Sequence, residues 1–425
     1  MGGSRLFLFG QSISLLGDGL AVLAIPLLVL QLTGSPVLSA LAAAPRAIGY
    51  LIAGLPAGPL VDRADPWRVL ITADAVRMAV FLLLAAAVAV SRCPVAVILG
   101  LACVAGVAGV FFETALAVAV RDLYTGPRLM RANGFLETSE QLSLVLGPAA
   151  VGVLVAAASQ QAALLANAGT FAVSLVTVWQ TYCRRPVAEF TGAATTVGAK
   201  RPVGAGVLGS VGAEFRAGLR YLVTSPVVAG ITLLQAVTAL GLGAETLIPF
   251  FARERLGASA VLVGLAVAGG GIGGAFGALI AAAIGSRRSP VPMCLAGVLL
   301  MAVGLALVGL APGVLWLALA NALLAGASMV VVVVVRTLRQ QVVPRALLGR
   351  VTSTARSLVL AAAAAGTMLT GLLTRLGGDN PRPVFVGAAV FIAVSTALVW
   401  LGVLGRTAHR LDAFNRSSQC APISS

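Results

Sequence analysis

"GPLVDRADPWR", residues 58–68, sets two acids, two bases and three helix breakers between long apolar runs. The runs on either side, 37–61 and 69–90, are long enough to cross a membrane, for which about 18 or more apolar residues suffice. The stretch therefore reads as a polar turn joining two membrane spans. The whole chain has this character. It has 425 residues, of which 59% are hydrophobic and only 10% charged, whereas soluble domains carry about 25% charged residues. It cannot coat a water-soluble surface, and its fold class is an all-α polytopic membrane protein.

Twelve spans follow from the apolar runs: 7–30, 37–61, 69–90, 95–120, 134–158, 161–182, 227–251, 260–285, 290–310, 313–335, 350–376 and 383–405. They divide the chain into an N-terminal six-helix bundle (1–182), a linker (183–225), a C-terminal six-helix bundle (226–405) and a tail (406–425). No cleavable leader is expected, because the first apolar run is long and no small-residue cleavage pattern follows it.

The formal net charge is +15, carried by 29 Lys and Arg against 14 Asp and Glu. Most of the basic residues fall in the connections that share a side with the N-terminus. Only Arg92, Arg253, Arg255, Arg375 and Arg382 fall on the other side. The positive-inside rule then puts both termini, the linker and the tail in the cytoplasm. The charge is a topology signal, so no nucleic-acid partner is expected. The five cysteines are scattered and form no CxxC, which indicates neither a disulfide framework nor a metal site.

The halves echo one another. Gly58 to Arg68 after the second span has the spacing of Gly277 to Arg287 after the eighth. Pro127-Arg128 with Arg131 is matched by Pro344-Arg345 with Arg350. A repeat of six spans joined by a basic linker is the sequence trace of a 6+6 transporter.

On these residues the chain resembles the major facilitator superfamily. The loop Gly58-x-x-x-Asp62-Arg63 with Arg68 is similar to that superfamily's signature between its second and third helices. "LTGSP" (32–36), "ADAVR" (73–77), "RANG" (131–134), "LGPAAVG" (146–152) and "RQQVVPRALLGRV" (339–351) are similar to its bacterial drug and siderophore exporters. Asp65 and Trp67 depart from the pattern, standing where a Gly and a basic residue are common. The resemblance implies alternating access without a cofactor, driven by a proton gradient. It also implies that Gly147, Pro148 and Gly152 of the fifth span belong to a motif associated with export.

The residues supply a physical reading of the loop. Asp62 can face the N-terminus of the eleventh span near Gly349 and Arg350, where a carboxylate gains roughly 0.3–1 kcal/mol from the helix dipole. Such a contact would act as a conformational switch, with Gly58 allowing close packing. The alternative is a solvated turn that only fixes topology.

Ionisable groups inside spans are costly and mark pathways or structural pairs. Asp18 stands near mid-bilayer in the first span and Arg46 at similar depth in the second, so the two can pair. A carboxylate there is balanced between losing its charge to apolar surroundings and keeping it beside a cation. Asp18 is thus the first candidate for proton coupling, with a permanent structural ion pair as the alternative. Glu245 and Glu113 are further proton or substrate candidates. Asp74 and Arg77, three apart near the start of the third span, are read as a structural pair. Glu137 and Glu140, at the start of the fifth, are read as pairing with Arg131 and its basic neighbours.

Neither GxGxxG match, at 204–209 and 269–274, has the strand-and-helix context of a dinucleotide site. No nucleophile or metal-ligand motif appears, and no enzyme is indicated. The expected protein is a proton-coupled antiporter of the cell membrane that exports small hydrophobic compounds such as antibiotics or siderophores, working as a monomer in the lipid bilayer. An importer or facilitator of a small metabolite on the same fold, and a non-transporting scaffold or sensor, are the alternatives.

Overall fold

The computed structural model describes residues 2–35, 38, 42, 45–90, 94–184, 216, 218–285 and 290–404. Every regular element among them is helical. Twelve long helices follow one another: α1 Gly2–Thr33, α2 Pro45–Arg63, α3 Pro66–Val90, α4 Val95–Leu123, α5 Gly126–Ala157, α6 Gln160–Cys183, α7 Pro226–Leu242, α8 Ala260–Ile284, α9 Pro290–Gly309, α10 Val314–Val342, α11 Leu348–Leu376 and α12 Arg382–Val399. Among the described residues, eleven stretches are long and apolar enough to cross a membrane. The remaining helix, α2, has 19 residues, two internal prolines and a charged end. Most of the linker expected at 183–225, the connection 286–289 and the tail 406–425 lie outside the described residues, as do Lys200, Arg287 and the 204–209 glycines.

Three boundaries differ from the apolar reading. Helix α5 begins at Gly126 instead of 134, so Arg128 and Arg131 are helical. Helix α10 runs to Val342, which turns half of an expected loop into helix carrying Arg336 and Arg339. Both helices outlast their apolar stretch because helix propagation follows backbone hydrogen bonds, and polar residues with partners do not end it. The seventh span is also not one regular helix. It tightens to a 3₁₀ turn at Gly243–Leu247 and widens to a π turn at Phe251–Arg255. Gly243 lies against the backbone of α11, where a Cβ would sit 2.2 Å from the Gly366 carbonyl carbon. Pro249, between the two turns, has no N–H to give the ladder.

The chain forms two compact units. The first comprises Met1–Leu123, Leu146–Tyr221 and Val343–Thr354; the second comprises Tyr124–Val145, Leu222–Val342 and Ala355–Ser425. In the first, α1 packs on α6, α2 on α4, and α3 on both α4 and α6. In the second, α7 packs on α12, α8 on α10, and α9 on both α10 and α12. The same pairings thus recur six helices later, which gives the sequence repeat a structural basis. Leu28, Leu84, Ile98 and Phe171 centre the first core; Phe251, Leu305, Leu324 and Phe385 centre the second.

Small residues set the closest crossings. A Cβ on Gly49 would lie 2.5 Å from the Gly106 carbonyl carbon of α4. Gly269, Gly273 and Gly277 of α8 meet the backbone of Ala318, Ala322 and Gly326 on α10. This close packing replaces the hydrophobic drive that lipid does not supply between helices. The 269–274 glycines are a packing face of α8.

Candidate functional site

Asp65 and Trp67, which depart from the loop pattern, have local work. Asp65 Oδ1 accepts the Trp67 N–H at 3.0 Å, ahead of a helix whose first residue is Pro66. An acid before a proline is a standard helix start. Trp67 is fully buried, with its ring 5.2 Å from that of Phe7. Arg68 is exposed and reaches the Tyr182 hydroxyl at 3.3 Å, with Asp65 at 3.9 Å. Arg63 is exposed.

Asp62 accepts two backbone N–H groups at the start of α11, from Gly349 at 2.8 Å and Arg350 at 3.0 Å. The Arg350 Nε lies 3.4 Å from the same carboxylate, whose side chain is only 2% exposed. Gly58 makes room for this: a Cβ there would lie 2.7 Å from the Arg350 Cα. Burial pushes the Asp62 carboxyl up from 3.8 to about 6, against the lowering effect of the two N–H groups and the guanidinium. Two further contacts in the same unit join the end of α4 to the approach to α11. Arg345 meets Asp122 at 2.6 Å, and Arg121 donates to the Val343 carbonyl at 2.5 Å.

Inside the first unit, Arg77 is the centre of a buried charge cluster. Its side chain is 2% exposed. Nη2 meets Asp74 Oδ1 at 2.5 Å, and Nη1 meets the two Asp18 oxygens at 3.2 and 3.4 Å. The guanidinium also lies 4.0 Å from the Phe112 ring centre and 4.4 Å from that of Phe171, a cation–π arrangement. Asp74 is fully buried and accepts the Ser174 hydroxyl at 2.7 Å, which in turn accepts from Gln11 at 3.2 Å. Asp18 differs. Its side chain is 38% exposed and borders a cavity of about 130 Å³.

That cavity is walled by Asp18, Arg77, Phe81, Phe171 and Glu113, with Ala102, Ala105, Gly106 and Gly109 keeping the α4 side open. Glu113 accepts the Tyr50 hydroxyl. Among the described side chains, two carboxylates meet the Arg77 guanidinium. Asp74 is the enclosed partner, and Asp18 is the one that faces open space.

This corrects the placement of Asp74 and Arg77 as a pair near a boundary. Helix α3 starts at Pro66, so Arg77 stands roughly three turns in, deep enough to meet Asp18. The Arg46 backbone is in α2, but its side chain lies outside the described residues. Arg77 is the described cation on Asp18. The signal was available: α1 and α3 run in the same direction, and Asp18 and Arg77 stand at similar depth. The aromatic clamp of Phe112 and Phe171 had none, because nothing in the sequence separates those rings from lipid-facing ones.

The other candidates lie apart from the cavity. Gly147 of α5 packs on α1, where a Cβ would lie 2.3 Å from the Gly19 carbonyl carbon. Pro148 is inside α5, and Gly152 faces open space. Glu137 pairs with Arg336 at 3.2 Å instead of with the arginines of 121–131, because α10 extends far enough to bring Arg336 to it. Glu140 is half-buried and Arg131 exposed. Glu245 is half-buried in the 3₁₀ turn of the second unit, and no hydrogen bond or ion pair reaches it among the described residues.

The sequence profile of the Major Facilitator Superfamily matches residues 7–367. The chain belongs to this superfamily. Within the Major Facilitator Superfamily, it is 27% identical over 428 residues to the multidrug efflux pump Tap of Mycolicibacterium fortuitum, spanning 97% of each chain. It is 28% identical over 415 residues to the multidrug efflux pump Tap of Mycobacterium tuberculosis (strain ATCC 25618 / H37Rv), spanning 95% of this chain and 92% of that one. Its fold is similar to that of a bacterial homologue of the iron transporter ferroportin in an outward-facing state. The TM-score there is 0.72 at 16% identity, over 94% of this chain and 99% of the other. The chain is a multi-pass membrane transporter.

Proposed function

We propose that this protein is a proton-driven exporter of small, largely hydrophobic compounds, with twelve spans, both termini in the cytoplasm and a place in the cell membrane. The observation that carries the reading is the unequal setting of two acids on one cation. Asp74 and Asp18 share one guanidinium, and only Asp18 borders the cavity. A carboxylate so placed can take a proton without breaking the Asp74–Arg77 pair. Glu113 on the same cavity, and Glu245 in the other unit, which has no partner among the described residues, are second candidates. Export as the direction is supported by the names of the relatives and by the Gly147-Pro148 stretch of α5.

The same reading assigns the switch to the start of α11. Residues up to Thr354 belong to the first unit and those from Ala355 to the second. Alternating access would require this helix start to leave Asp62. Two N–H bonds to a carboxylate and one ion pair are strong enough to hold a state and few enough to release it.

The test is drug susceptibility in a pump-deficient bacterial host, at matched expression, across chemically varied antibiotics and dyes. Wild type should confer resistance, and both Asp18→Asn and Asp62→Asn should lose it. Resistance that survives Asp18→Asn removes Asp18 as the essential proton site. Accumulation of the compound in place of extrusion sinks the export reading.

A further inference from the structure

Among the described residues, the second unit contains a buried cation that lacks an acidic partner. Arg339, near the end of α10, is only 7% exposed. Its Nη2 donates to Gln235 Oε1 on α7 at 2.6 Å, and its Nε is enclosed without a hydrogen-bond partner. Among the described residues, the charged groups that act on it are Arg336 and Arg356, both of like sign. The neighbouring acid Glu137 is already held by Arg336 at 3.2 Å. A guanidinium cannot shed its proton in a protein, and an uncompensated buried charge is costly. A neutral amide oxygen offsets little of that.

We propose that Arg339, with Gln235 beside it, binds the carboxylate of a small organic anion. A carboxylate supplies what the site lacks. Its negative charge answers the positive charge of Arg339. Its two oxygens can accept the free Nε–H and a second guanidinium N–H in parallel, the fork geometry that arginine favours. Gln235, Arg336 and Arg356 around it are each half-buried, so the approach to Arg339 is lined by side chains that are not sealed in the core. The site is separate from the Asp18 cavity, which lies wholly in the first unit. The inference concerns binding and does not depend on the direction of transport or on proton coupling.

The test uses full-length protein purified in neutral detergent, with thermal unfolding followed by tryptophan fluorescence. Benzoate replaces chloride at constant ionic strength, and neutral benzamide is the isosteric control. Benzoate should raise the unfolding temperature to saturation, and benzamide should not. Arg339→Gln should abolish the effect. Arg339→Lys, which keeps the charge and loses the fork, should weaken benzoate by about tenfold or more, the loss expected for one hydrogen bond to a charged group. If Arg339→Gln does not fold, the lysine variant alone decides, because an unchanged benzoate midpoint there refutes the site. Equal responses to benzoate and benzamide overturn the proposal, as does a benzoate effect that persists in Arg339→Gln. Stabilisation by phosphatidylglycerol over phosphatidylcholine, with none by benzoate, assigns the cation to a lipid phosphate and overturns the free carboxylate.

Discussion

Asp18 shares the Arg77 guanidinium with Asp74: one nitrogen is 3.2 Å from Asp18 and the other 2.5 Å from Asp74. The two acids are not equivalent. Asp74 is enclosed and Asp18 open to a cavity, so removing the cation should affect them differently. Arg77→Leu leaves Asp74 buried without its counter-charge and should destabilise the protein by about 3–5 kcal/mol. Arg77→Lys should not restore stability, because an ammonium cannot span both acids while stacking between Phe112 and Phe171. Asp18→Asn should leave the unfolding temperature nearly unchanged. Thermal unfolding in detergent checks all three, and a stable Arg77→Leu protein would contradict the buried pair.

The Asp62 contact carries a pH signature. Its carboxyl titrates at about 6 where burial holds it, against 3.8 for the exposed group. The buried state therefore keeps a proton that the unfolded state has lost between those values. Stability from this source is fully present below 3.8 and is lost as pH rises through about 6. A shift of that size corresponds to roughly 3 kcal/mol. The difference in unfolding temperature between wild type and Asp62→Asn should change across this window and level off above about pH 7. A flat difference from acid to neutral would mean that Asp62 is not desolvated.

Gly58 should not tolerate a side chain. Even a Cβ would crowd Ser353 Oγ at 2.2 Å and the Arg350 Cα at 2.7 Å. Gly58→Val should push the start of α11 away from Asp62, at a cost of about 1–3 kcal/mol. Transport should then fall as far as in Asp62→Asn. In the double variant the two losses should not add, since both act on one contact. Additive losses would place the two residues in separate roles.

Trp67 should behave as a core residue despite its place in a polar turn. It is fully buried against Phe7. Trp67→Ala should cost about 3–5 kcal/mol, whereas Arg68→Ala, at an exposed side chain, should cost less than about 1 kcal/mol. Chemical or thermal denaturation of the two variants makes the comparison.

Element existence was legible because apolar length alone identifies membrane spans, and the pairing of α1–α6 with α7–α12 follows the sequence repeat. Helix ends were less legible. Apolarity stops near 335 and α10 continues to Val342, since Arg336 and Arg339 both have partners there. The break after α7 was hidden because Gly243 is needed for its approach to Gly366, more than a hundred residues away. The meeting of Asp62 with Gly349 and Arg350 was readable from the local chemistry of an acid and a helix start. The bridging role of Arg77 was masked: the similar depths of Asp18 and Arg77 signalled it, but an acid three residues away explained that arginine locally.

By itself, then, the sequence determined the membrane setting, the helix inventory, the repeat and the polar turn at 58–68. All of these are properties of composition and local spacing. Only the tertiary structure decided which charges share a site: Arg77 with Asp18 as well as Asp74, Glu137 with Arg336, and Arg339 with no acid among the described residues. An ion pair depends on separations of about 3 Å between side chains on different helices, and a sequence records helix order without recording helix rotation.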